Sequence, residues 1–396
     1  MKKNSSNNKN IEEKKENENN ANEPVSKKEK SNRNEENEEN DILKNKKNSS
    51  KNDYKDINYM NKYLSENCKD FFEKFELLES LKSGVSGAVY KGKLRNKPNS
   101  RQIAFKFLFD NTKENKKGNE NLKNKNKDSN KHFEISVHGV LKNKHIAEIF
   151  GYYKIKENSC IAMEFCKFGD LENFKRKVIN RTILSETLIL YIAGGIIEAL
   201  NYIHTNNKII HMDIKQQNIL VAEFLNIKLT DFSVSINYKN AKDSINLPLA
   251  GTCYYMSPEV LNRQRILVSE ASKIDIYSLG VLLYLLTFHD YPYKLKDVNN
   301  EDFQQIAKNI KINNLEFPEN INLSKVFKHF LQNCLNKDIK KRYDIYQAMK
   351  DPWFKGYKII LDEKEKLLND GKFLIELMTD KFIKFNDYIK NQERLL

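Results

Sequence analysis

The amino-acid sequence predicts an α+β fold in which a small β-rich lobe precedes a larger, mainly helical one. Three observations carry this expectation. Apolar and polar residues alternate over short runs between about 71 and 165, as half-buried strands require. Apolar residues then recur at helical spacing across 183–203 and 274–288. The hydrophobic content of 39% is low for a globular chain of 396 residues, but the deficit is local. The first 50 residues hold only six hydrophobics against 12 basic and 11 acidic side chains. Such a segment cannot bury enough apolar surface to offset the entropy of ordering, so residues 1–70 are expected to form a disordered Asn/Lys/Glu-rich extension.

The elements follow in order. Residues 72–94 read as a strand, a glycine turn and a second strand, and 102–109 as a third strand interrupted by Lys106. An Asn/Lys-rich run at 111–131, with seven basic and three acidic residues, breaks the pattern and reads as a surface insertion. A helix is predicted at about 132–142, then strands near 149–154 and 159–165, with helices dominating from Leu171. After Phe354 a charged, helix-forming tail (355–396) places Leu368, Ile375, Met378, Phe382, Phe385 and Ile389 on an apolar stripe. The expectation is a helix packed on the large lobe; the sharper alternative is a docking or autoinhibitory segment, within the chain or toward a partner.

The net charge of +14 invites a polyanion-binding reading, yet it is spread along the chain without a recognition motif or stacking aromatics, so no nucleic-acid partner is expected. The N-terminus shows no apolar signal core, and the longest apolar run, 277–288, is short for a bilayer, so no membrane association is expected. Five cysteines, an odd number without a CxxC pair, read as free thiols and an intracellular, cytoplasmic or nuclear, location.

The residues that carry chemistry come in sequence. Gly84 and Gly87 separate two strands, where backbone can approach a phosphate closely. Lys106 interrupts an apolar strand and is costly to bury unless an anion meets it; Glu134, opening the next helix, can supply part of that pairing. In HMDIKQQNIL, Asp213, Lys215 and Asn218 fall within six residues, and Asp231 follows in LTDFS. A carboxylate and an amide oxygen together suit a hard divalent cation bound with phosphate.

With these residues in this order, the chain resembles the eukaryotic-type protein kinases over about 75–354, as LKSGVSGAV, IAFKF, Glu134, HMDIKQQN, DFS and SPE. Asp275 in IDIYSLG, Arg342 in KKRYD and DPWF at 351–354 add to the match. The resemblance implies a bilobal protein-kinase fold and transfer of the ATP γ-phosphoryl group to a protein serine or threonine. Leu81 through Val89 would cover the nucleotide. Val89, Ala104 and Leu220 would enclose adenine, with Met163 as gatekeeper and the Glu164 and Cys166 backbone at its edge. Asp170 would lie near the ribose. Lys106, held by Glu134, would meet the α- and β-phosphates. Asn218 and Asp231 would hold magnesium, or manganese in its place. Asp213 would take the substrate proton and Lys215 would steady the transferring group. Glu259 would pair with Arg342, and Thr252 would contact Asp213 and Lys215.

Three positions depart from the pattern. Lys82 stands where the first glycine is usual, which implies altered nucleotide affinity. Ser233 replaces the glycine of DFG and restricts rearrangement of that loop. Met212 replaces the arginine of HRD, which in the family binds an activation-segment phosphate, so activity without phosphorylation at Ser235, Tyr238, Ser244 or Thr252 is expected. The acids of arginine-directed members are missing at Gln217, Tyr254 and Leu285, so a strict multi-arginine preference is not expected. EISVHGVL together with HMDIK also looks like the Wee/Myt-type inhibitory kinases, and the three departures suit a pseudokinase scaffold; both stand as alternatives.

Overall fold

In the computed structural model, the described residues are 57–84, 87–97, 99–108, 134–156, 158–177, 179, 184–295, 298–299, 302–319, 321–369, 372–379 and 382–395. The insertion expected at 111–131 and most of the N-terminal extension lie outside them.

The alternating segments form one antiparallel five-stranded sheet. Its strands are β1 (Phe75–Gly84), β2 (Gly87–Leu94), β3 (Ile103–Leu108), β4 (Ile149–Ile155) and β5 (Asn158–Glu164), ordered β1-β2-β3-β5-β4. Both faces of this sheet are apolar, and each needs a cover. One face presents Phe75, Phe105, Phe107, Tyr153 and Cys160. Two helices, Ile57–Asn67 and Lys69–Lys74, close over it, burying Met60, Leu64 and Phe71. The Phe71 ring sits 5.2 Å from both Phe105 and Tyr153 in edge-on packing. The expected disordered arm therefore does not extend to residue 70. Residues 57–70 are ordered because the sheet beneath them offers an aromatic surface that would otherwise face water. The other face, with Ala104, Ile161 and Met163, looks toward the large lobe.

The large lobe is built around two helices, Glu186–Asn201 and Ser272–Phe288, almost every residue of which is buried. Ser185 caps the first, its hydroxyl accepting from Leu188 N at 3.1 Å. Each helix, with the turn adjoining it, is long and apolar enough to cross a membrane, but 83% and 94% of their apolar windows are buried inside the fold. They are core helices here. The first runs into a π-helical turn, Tyr202–Asn207, and short ladders follow: Ile209–Ile210 with Ile236–Asn237, Ile219–Val221 with Ile227–Leu229, and Ser244–Asn246 with Arg265–Leu267.

Buried charges brace this lobe. Arg342, fully buried, grips the Glu259 carboxylate through both terminal nitrogens, as expected, and donates to Lys273 O at 3.1 Å. Trp353 stacks on Phe327 with ring centroids 4.4 Å apart and donates its indole N–H to Glu186 Oε1 at 3.0 Å.

The tail is three helices, Pro352–Asn369, Phe373–Met378 and Ile383–Glu393, and they pack on the large lobe. Phe382, Phe385 and Ile389 of the expected stripe are buried, and Leu368 and Met378 are partly so. Ile375 is 60% exposed, because the middle helix turns Phe373 and Leu377 inward instead. A single continuous stripe assumed one helix; the breaks reset which face meets the core.

Two outcomes follow for stability. Deleting 358–396 strips a buried apolar face, so a urea titration should show loss of the cooperative transition; a truncated chain of full stability with raised activity would make the tail a regulatory clamp instead. The second concerns His145, buried against Gly195 with its Nδ1–H donated to Ile227 O at 2.9 Å. Burial, aided by Lys144, Lys228 and Lys364, lowers its pKa to about 4. The folded state thus resists a proton that the unfolded chain accepts, and stability present above pH 6.5 is lost as the pH falls toward 4. That loss amounts to about 3 kcal/mol. The melting temperature of His145→Gln should fall less steeply over this window than that of the unsubstituted chain.

Candidate active site

The site lies where the inner sheet face meets the large lobe. Lys106 leaves β3 opposite Val89 and reaches two carboxylates, Glu134 Oε1 at 2.8 Å and Asp231 Oδ1 at 3.1 Å. Glu134 lies on a helix described over 134–138, which ends before the predicted 142; residues 131–133 lie outside the described set. Burial alone would lower the Lys106 pKa, but Glu134 and Asp231 outweigh it and hold the ammonium above its ordinary value. Burial would likewise raise Asp231, yet Lys106 and the Ser233 hydroxyl hold its carboxyl below the usual carboxylate range. Glu134 goes the other way: burial raises it more than Lys106 lowers it.

A column of rings stands behind these charges. Phe232 lies 4.7 Å from His138 on the helix and 4.7 Å from His211 of the 211–218 loop. His138 donates Nε2–H to Ala147 O at 2.7 Å, and burial, first among several causes, lowers its pKa to about 4, so the ring is neutral.

The loop that follows Ile209–Ile210 and carries His211–Asn218 is fixed by Asp275, a fully buried carboxylate of the Ser272–Phe288 helix. It accepts from His211 N at 2.8 Å, Met212 N at 2.9 Å and His204 Nε2 at 2.7 Å. The loop then presents Asp213, whose carboxylate is used at both oxygens. Oδ1 accepts from Thr252 N at 2.9 Å and Thr252 Oγ1 at 2.8 Å; Oδ2 meets Lys215 Nζ at 2.7 Å and Asn218 Nδ2 at 2.9 Å. Lys215 also donates to Thr252 Oγ1 at 2.7 Å, so the contact expected of Thr252 is made on both sides. Gly251 permits this closure: at φ +105° it brings the chain so near the loop that a Cβ would lie 2.4 Å from Met212 O.

Asn218 and Asp231 suit a divalent cation. The Asn218 amide nitrogen is committed to Asp213, at O and Oδ2, which leaves Oδ1 as the atom to offer. With the Asp231 carboxylate this makes a pair of hard oxygen donors, a set completed by phosphate oxygens and water. No group of three or more His, Cys, Asp or Glu side chains with metal-binding placement occurs among the described residues.

The expected nucleotide contacts come together in part. Val89, Ala104, Met163 and Leu220 belong to one apolar cluster. Glu164 N donates to Glu148 O at 2.8 Å, so its carbonyl is the group it could offer an adenine. Its side chain is held by Lys228 at 2.9 Å and Arg101 at 3.2 Å, partners the sequence reading missed because they lie 64 and 63 residues away. Cys166 is buried, and burial pushes its thiol up to about 12, so it contributes backbone and no nucleophile. Asp170 caps the Leu171–Lys177 helix, accepting from Asn173 N at 2.8 Å and Asn173 Nδ2 at 3.0 Å. Leu81 is exposed at the rim. Gly84 pairs with Gly87 across the β1–β2 hairpin, whose tip, 85–86, lies outside the described residues. Gly87 has a further reason to lack a side chain: a Cβ there would stand 2.2 Å from Phe107 O of β3.

Replacing Lys106 by Met leaves Glu134 and Asp231 facing each other without a cation. Stability should fall by about 3 kcal/mol in denaturant titrations, and affinity for a fluorescent ATP analogue by more than about tenfold.

Known proteins match this sequence. The Protein kinase domain family matches residues 75–354. The chain is 31% identical over 258 residues to a mitogen-activated protein kinase kinase, mkk2, of Aspergillus fumigatus, covering 61% of this chain and 48% of that protein. It is 30% identical over 319 residues to the serine/threonine-protein kinase dst2 of Dictyostelium discoideum, covering 80% and 25% respectively. It is 29% identical over 330 residues to the MAP kinase kinase MKK1/SSP32 of Saccharomyces cerevisiae, covering 81% and 59%. The chain thus spans between about a quarter and three fifths of these relatives' length. The lysine between two carboxylates, the Asp213 cluster and the match over 75–354 lead to one conclusion: the chain belongs to the protein kinase family.

Proposed function

We propose that the chain transfers the γ-phosphoryl group of ATP to serine or threonine hydroxyls of a protein substrate. The observation that carries this reading is the fixed Asp213 carboxylate, bound by Thr252, Lys215 and Asn218, in the same site as the Lys106–Asp231 pair. Lys106 orients the α- and β-phosphates, its charge secured by its two carboxylates. Asp213 aligns the attacking hydroxyl and accepts its proton, while Lys215 offsets charge on the transferring group. The transition state is loose, so placement and electrostatics do most of the work. Magnesium, or manganese in its place, would be held by Asn218 and Asp231 and supplies charge neutralisation on the phosphates.

We infer further that activity does not depend on activation-segment phosphorylation. Met212 is buried and uncharged where an arginine would read the phosphate. Of the four hydroxyls considered, Ser235 is buried and donates to Phe232 O at 2.8 Å, Tyr238 is buried, and Thr252 is engaged at Asp213. Ser244 is partly exposed, with Arg265 Nε donating to its hydroxyl at 2.5 Å.

The intact order of Lys106, Glu134, Asp213, Asn218 and Asp231 favours catalysis over a pseudokinase scaffold. A Wee/Myt-type role toward a cell-cycle kinase rests on two short segments alone, EISVHGVL and HMDIK. The Thr252–Lys215 pairing supports the broader serine/threonine reading. The partners are then ATP and a protein substrate, with neither nucleic acid nor membrane. None of the five cysteines is in a disulfide and four of them are buried, which supports an intracellular, cytoplasmic or nuclear, location.

Transfer of labelled γ-phosphate to a mixed protein substrate with magnesium tests this. Asp213→Asn should lower kcat by roughly 10²- to 10⁴-fold with the fold intact; equal transfer by both proteins would sink the assignment. Phosphatase-treated chain should keep its rate. Loss of the rate, with recovery on phosphorylation of Ser244, would overturn independence from phosphate.

A further inference from the structure

The segment between Asp231 and Glu259 must be held still, because its far end fixes Asp213 through Thr252. With Met212 in the catalytic loop, no arginine is present there to tie the segment down through a phosphate. Something else must do so.

The beginning of the segment enters the large lobe. Ile236 and Asn237 pair with Ile210 and Ile209, and Tyr238 N donates to Lys208 O at 2.8 Å. Tyr238 itself is 7% exposed and belongs to the large-lobe core. Its hydroxyl donates to His204 O at 3.1 Å, inside the π-helical turn Tyr202–Asn207. Burial pushes the phenol up to about 12, so it keeps the proton it donates. His204 is in turn bonded to Asp275, and Asp275 holds His211 N and Met212 N, next to Asp213.

We propose that Tyr238 is a positioning residue that anchors the activation segment without phosphate: its buried hydroxyl ties the segment to His204 and, through Asp275, to the catalytic loop. A tyrosine suits this place for two reasons. Its ring fills the core, and its hydroxyl meets a backbone carbonyl that no apolar residue could satisfy. The same burial withholds Tyr238 from modifying enzymes, so the contact is permanent and unregulated. The segment is then tied at its start by Tyr238, along its middle by the Ser244–Asn246 ladder with Arg265–Leu267, and at its end by Thr252. None of the three contacts requires a phosphate.

This inference rests on the phosphate-independent kinase reading, and Tyr238→Phe tests it separately. Phenylalanine keeps the ring in the core and removes only the hydroxyl. Hydrogen–deuterium exchange on the full chain should show peptides spanning 232–247 and 208–214 exchanging roughly five- to tenfold faster than in the unsubstituted chain. In the transfer assay kcat should fall by a similar factor, while the affinity for magnesium–ATP and the melting temperature stay close to those of the unsubstituted chain. That split marks misplacement of the segment, as opposed to general loosening, which would lower all of them. Unchanged exchange in both peptides would overturn the anchor, whatever the activity. An unsubstituted chain that transfers no phosphate would instead defeat the kinase reading, and the exchange comparison would still decide the anchor.

Discussion

Lys106 stands between Glu134 and Asp231, and this one arrangement joins the sheet, the helix beside it and the large lobe. The three residues are separated by 28 and 125 positions in the chain, so closing them together costs entropy that local structure cannot offset. Burial makes the contact decisive. A lysine on a largely covered strand is unfavourable alone, and two carboxylates near each other are unfavourable without it. Each member is therefore tolerable only when the others are in place. The ring column His138–Phe232–His211 stands beside the triad and transmits the same condition through packing.

The 211–218 loop depends on a second buried charge. Asp275 has no exposed surface and accepts three hydrogen bonds, two of them from loop backbone. Without it the Met212 backbone, which sits at φ +70°, would lack the bonds that hold an unfavourable conformation. The shape of the loop thus comes from a helix 60 residues further on, while its chemistry comes from its own side chains. The pairing of Arg342 with Glu259 follows the same principle at the base of the lobe.

Much of this was legible in the sequence. Strand alternation placed β3, β4 and β5 within a residue of where they lie, whereas the first strand, read from Phe72, starts at Phe75 because 72–74 belong to the Lys69–Lys74 helix. The order of Lys106, Glu134, Asp213, Asn218 and Asp231 pointed to the site before any geometry. Other features were not legible, for definite reasons. The helices over the sheet fall in a stretch whose polar neighbours mask Met60, Leu64 and Phe71; only the exposed aromatic face of the sheet explains why they order. His204 sits in an apolar helical run and gives no local sign that it serves Asp275. Tyr238 reads from sequence as a phosphorylation candidate, and its burial turns it into the opposite. Asp170 reads as a ribose or substrate acid, and its carboxylate is occupied by the turn that starts the next helix.

What the sequence by itself determined is therefore the inventory: two lobes, a set of chemically suited side chains, and the order in which the chain delivers them. Periodicity and residue type are local properties, and they survive without knowledge of neighbours. Only the tertiary structure decided which of those side chains are committed and which are offered. Hydrogen bonds and burial are relations between distant residues, such as Lys215 with Thr252 or Tyr238 with His204, and no spacing rule encodes them. The departures at Met212 and Ser233 show the difference. In the sequence they are missing pattern residues; in the fold, Met212 is an apolar core side chain and the Ser233 hydroxyl helps to keep Asp231 ionised.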